Sequence, residues 1–150
     1  MTTTHPMPAH VPAEAQAQTP TRAELVSTIT DFCLDLIHRC DGHAFTKGSP
    51  PLEALAIYAY GAVHTIADRH RLNLTNRHML AVKLYVEFFG MASTLALANA
   101  CALAGAAFYA DSPRYAVIQS SAAAFRDWQR DPALLDTDDF RAHLPWPDIA

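Results

Sequence analysis

A chain of 150 residues with 51% hydrophobic composition has the means to bury one sizeable core and is too short to hold a second domain of ordinary size beside it. A formal charge of −4 and a pI near 6.0 argue against a protein whose main business is to coat nucleic acid or a membrane surface. Three cysteines, an odd number without paired short spacing, make no disulfide framework and read as free thiols of a reducing, cytoplasmic compartment.

Residues 1–21 carry four prolines and no aromatic side chain, so they bury too little apolar surface to offset their ordering entropy. They are expected to form a disordered tail, and they lack the basic and apolar regions of a secretory signal. An all-α domain is expected over 22–150. Thr21 followed by Glu24 makes a capping box, and Leu25, Val26, Ile29, Phe32, Cys33, Leu36, Ile37 and Cys40 then recur at helical spacing. The loop GHAFTKGSPP interrupts the pattern, with Phe45 expected to pin it to the core. Ser49 caps a second helix with prolines in its first turn, and one broad face runs from Leu52 through Ala59 and Ile66 to His70. Gly61 within it points to close helix packing. Asn73 is expected to close that helix and Thr75 to cap a third, whose apolar residues leave a polar stripe of Asn76, Lys83 and Glu87.

The run from Phe88 to Ala110 holds no charged residue. Gly90 is expected to stop the third helix and Ser93 to cap a fourth from about Thr94 to Ala110, roughly 25 Å long and therefore short of a bilayer. On a helical wheel, Leu95, Asn99, Leu103 and Ala106 oppose Leu97, Cys101, Ala104 and Phe108, which predicts a central strut packed on two sides. Asp111, Ser112 and Pro113 start a fifth helix reaching about Arg130, with Tyr115, Ile118, Ala122, Phe125 and Trp128 or Gln129 along its apolar stripe. A short helix at DTDDF is expected to follow, and Trp146 to tuck back onto the domain. The reading is thus a single-domain helical bundle of about five main helices plus a short C-terminal one.

Three constellations carry chemistry. Tyr60, His64 and Asp68 stand at successive i, i+4 positions, where a carboxylate beside an imidazole orients a general base, although no nucleophile accompanies them. Arg69, Arg71, Arg77 and Lys83 gather positive charge at the turn between the second and third helices, in a segment with the outline of a helix-turn-helix. His38, Cys40 and His43 are the nearest approach to a metal-ligand set, yet a structural zinc site needs four ligands, so neither a metal nor another cofactor is expected. No phosphate loop, nucleophile elbow or dinucleotide fingerprint occurs. The function expected is therefore a non-catalytic, soluble protein-interaction module, such as a small regulator, chaperone, or inhibitor or immunity-type factor. Its partner is a protein and it is expected to be homodimeric, because two almost wholly apolar helices ask for more cover than one layer of neighbours supplies. The alternatives are a DNA-binding transcriptional regulator using the turn from Arg69 to Lys83, and a small enzyme or ligand sensor built around His64 and Asp68.

Overall fold

Side-chain oxygens start four of the five long helices: Thr21, Ser49, Asn73 and Ser112 each accept a bond from a backbone N–H in the first turn that follows. The helices are α1 (Arg22–Arg39), α2 (Pro50–Arg69), α3 (Leu74–Glu87), α4 (Ser93–Ala106) and α5 (Pro113–Arg130). A 3-10 turn (Pro132–Leu134) and a short helix α6 (Asp138–Arg141) follow. This computed structural model describes residues 19–40 and 42–144, and no strand occurs among them. The architecture is an all-α bundle, as composition and periodicity predict. The expectations for most of the N-terminal tail and for Trp146 fall outside the described residues.

The capping box of α1 is complete, with Thr21 and Glu24 bonded in both directions. The boundary between α2 and α3 differs from expectation. Leu72 N–H bonds to Ala67 O and Arg71 N–H to Asp68 O, while Arg71 takes a φ of 53°, so α2 closes in a Schellman motif with arginine where glycine is usual. Asn73 thereby becomes the cap of α3 and not the end of α2; its side chain accepts from the N–H of Asn76, and Thr75 lies inside the helix. His70, expected on the buried face, is exposed because the helix unwinds at that residue. Helix α4 starts at Ser93, which lies inside the helix and is not its cap; Ala92 is the N-cap and offers no side-chain bond, and the helix stops at Ala106, four residues before the expected end.

Helix α2 is the axis of the bundle and packs most extensively on α5, while α4 lies chiefly on α3. The α2–α5 contact is close because Gly61 has no side chain: a Cβ there would meet Ser121 Oγ at 1.9 Å and the backbone N of Ala122 at 2.4 Å. Phe32, Leu36, Leu55, Leu80, Tyr85 and Phe125 fill the core. Several polar groups at its edge are paired. Tyr85 donates to Ala56 O, Trp128 Nε1 donates to Asp35 at 2.9 Å, and Arg39 grips the same carboxylate with two nitrogens. Tyr58 donates to Asp139 at 2.8 Å and stacks near Phe140, which ties α6 to α2, and Phe45 pins its loop against the same ring.

Candidate functional site

Two of the sequence constellations meet. Turning through Arg71 and Asn73 reverses the chain, so that α3 returns beside the end of α2 and presents Arg77 to the row Tyr60, His64 and Asp68. Arg77 is 7% exposed. Its guanidinium donates to Asp68 Oδ1 at 2.8 Å and to His64 Nδ1 at 3.1 Å. Arginine has no acceptor, so Nδ1 is the bare nitrogen of a neutral imidazole and the proton sits on Nε2, which faces Asp68 Oδ2 at 3.4 Å. Burial holds the His64 pKa below the ordinary imidazole range; Arg77 and Arg126 push the same way, and Asp68 opposes them. Both ring nitrogens thus face a neighbour within the node.

Phe108 closes the node from outside. Its ring lies 5.7 Å from the His64 ring, edge to face, and the Arg77 guanidinium stands over it at 5.7 Å from the centroid. Sequence reasoning assigned Phe108 to a packed ridge; it is 63% exposed, because the chain leaves helical geometry after Ala106 and the wheel no longer describes it. No spacing rule carries that information. The Tyr60 hydroxyl is buried with no partner among the described residues, and burial pushes its pKa up to about 12.

The rest of the basic turn disperses. Lys83 is ion-paired with Glu87 one turn on, and with Arg77 committed to the node, the positive charge left free is that of Arg69 and Arg71. Arg69 faces Arg126 and Arg130 across an open groove where α2 and α5 end together. Cations at helix C-termini suit the helix dipole. His38 is exposed whereas Cys40 is 1% exposed in the core. His43 keeps a buried Nδ1 without a partner. Among the described residues no group of three or more His, Cys, Asp or Glu is placed to hold a metal ion.

The uncharged helix α4 is covered on one side only. Ala96, Ala100, Leu103 and Ala104 face the bundle, and the half-buried Asn99 donates to Met91 Sδ at 3.6 Å. The opposite half, with Thr94, Ala98, Cys101, Ala102 and Gly105 along its middle and Leu95 and Leu97 at its margins, is exposed. Leu95 and Leu97 are 54% and 49% exposed, and beyond the helix end Phe108 and Tyr109 are 63% and 69% exposed. The central strut packed on two sides is therefore replaced by a strut packed on one. No described helix is long and apolar enough to cross a membrane. No protein-family model, no curated protein and no solved structure matches the chain.

Proposed function

We propose that this chain is a non-catalytic protein-interaction module that pairs with a second copy of itself across the outer face of α4, in the manner of a small regulator, chaperone or inhibitor. One observation carries the reading: a helix without a single charged residue turns half its circumference to solvent. At about 200 Å² for a large aromatic residue, Phe108 and Tyr109 alone expose about 250 Å². With the helix face added, the patch enters the range of several hundred Å² that marks interaction sites on monomer surfaces. A second copy suits it because two uncharged faces meet without setting like charges against one another. The alanines and Gly105 let two such helices approach closely. The three free cysteines fit a reducing compartment such as the cytoplasm.

Cys101 reports on this face directly, since it is exposed there while Cys33 and Cys40 are buried. Its alkylation rate in the native protein is expected to fall about tenfold as protein concentration rises through the dimerisation constant. Ala102→Glu, which places like charges opposite one another at the pairing face, is expected to keep the rate fast at every concentration. A wild-type rate as fast as that of folded Ala102→Glu at every concentration contradicts the proposal.

A further inference from the structure

Between the loop preceding α2 and the turn preceding α4 lies a half-enclosed cleft of about 300 Å³. Leu52, Phe89, Met91 and Leu95 give it apolar walls, and Lys47 and Glu53 are the charged groups of its lining. The Lys47 stem runs alongside Gly90, whose φ of 69° favours glycine: a Cβ built there would lie in ordinary contact with Lys47 Cδ and Cε at 3.6 Å and Nζ at 3.9 Å. The stem is therefore laid against backbone, and the ammonium is kept beside the cleft. Met91, contacted by the Asn99 amide, supplies an adaptable wall. Lys47 and Glu53 line one small cavity, yet neither has an ion-pair partner among the described residues.

Two opposite charges left open on a small apolar cleft ask for a molecule with both signs on a short head and an apolar body behind it. We propose that the cleft binds a free apolar α-amino acid, its carboxylate on Lys47, its ammonium on Glu53 and its side chain against Phe89 and Met91. A cleft of about 300 Å³ stands at the small end of ligand pockets and so suits a small ligand. A simple fatty acid fits poorly, since its carboxylate meets Glu53 with the same sign; a simple amine meets Lys47 in the same way. Pockets of this kind take their specificity from few polar groups, so both charges are needed.

Titration of the full chain with L-leucine, followed by backbone amide resonances, tests the site. L-leucine is expected to shift Gly48 and Gly90 saturably in the millimolar range, while 4-methylpentanoate and 3-methylbutylamine, each lacking one charge, bind about tenfold more weakly. Lys47→Met and Glu53→Gln are each expected to weaken leucine by about tenfold and to leave the resonance of Gly61 in the core unmoved. The Ala102→Glu variant is expected to bind leucine as the wild type does, which separates this site from the pairing face. Absence of saturable shifts, equal binding of 4-methylpentanoate, or indifference to Glu53→Gln overturns the proposal.

Discussion

At the scale of single residues, His64 is the side chain whose protonation matters most, because Arg77 donates to one of its nitrogens and cannot accept in return. A second proton on the ring sets two donors against each other beneath Phe108. With the folded pKa held below the ordinary 6.5, the unfolded chain takes up a proton on His64 at pH values where the folded chain does not. The stability contributed by neutral His64 is therefore full above about pH 6.5 and drains away as the pH falls from there to the folded pKa. Urea midpoints measured from pH 8 to pH 5 are expected to fall less steeply below pH 6.5 for His64→Gln, whose amide oxygen still accepts from Arg77, than for wild type. Equal slopes in that window remove His64 from the account. The i, i+4 row of Tyr60, His64 and Asp68 was legible in the sequence because one helix fixes it. Arg77 and Phe108 were not, since they reach the row only through the left-handed turn at Arg71 and the break after Ala106.

Among the elements, the α2–α5 crossing shows how much one missing side chain decides. The atoms that a Cβ on Gly61 would meet belong to the Ser121 hydroxyl and to the α5 backbone, and the backbone has no rotamer by which to yield. Gly61→Ala is expected to destabilise the fold by about 3 kcal/mol, read from chemical denaturation, despite the better helix propensity of alanine. A loss under about 0.5 kcal/mol shows the crossing to be looser than these distances imply. Helix starts were legible at Thr21, Ser49 and Ser112, where a hydroxyl caps them, and misplaced at α3, where the Asn73 amide is the cap; the glycine was legible as a packing signal. Direction was lost in α4. A helix whose residues are nearly all apolar gives periodicity nothing to point with, so spacing alone placed Leu95 and Leu97 in packed layers, whereas both stand at the margins of an open face. Composition told how strongly the segment seeks cover and left open what provides it.

For the whole molecule, the described bundle satisfies most of its apolar surface internally: α2 is buried on nearly every side, and α1, α3 and α5 each turn a polar flank outward. The outer face of α4 with Phe108 and Tyr109 gathers four of the exposed large apolar side chains, and the proposed pairing with a second copy would cover it without opposing any like charges at its centre. Sedimentation equilibrium at micromolar concentration tests this most directly. The account predicts twice the 16.4 kDa chain mass for wild type and the single chain mass for folded Ala102→Glu. A wild type that sediments at the single chain mass across that range contradicts it.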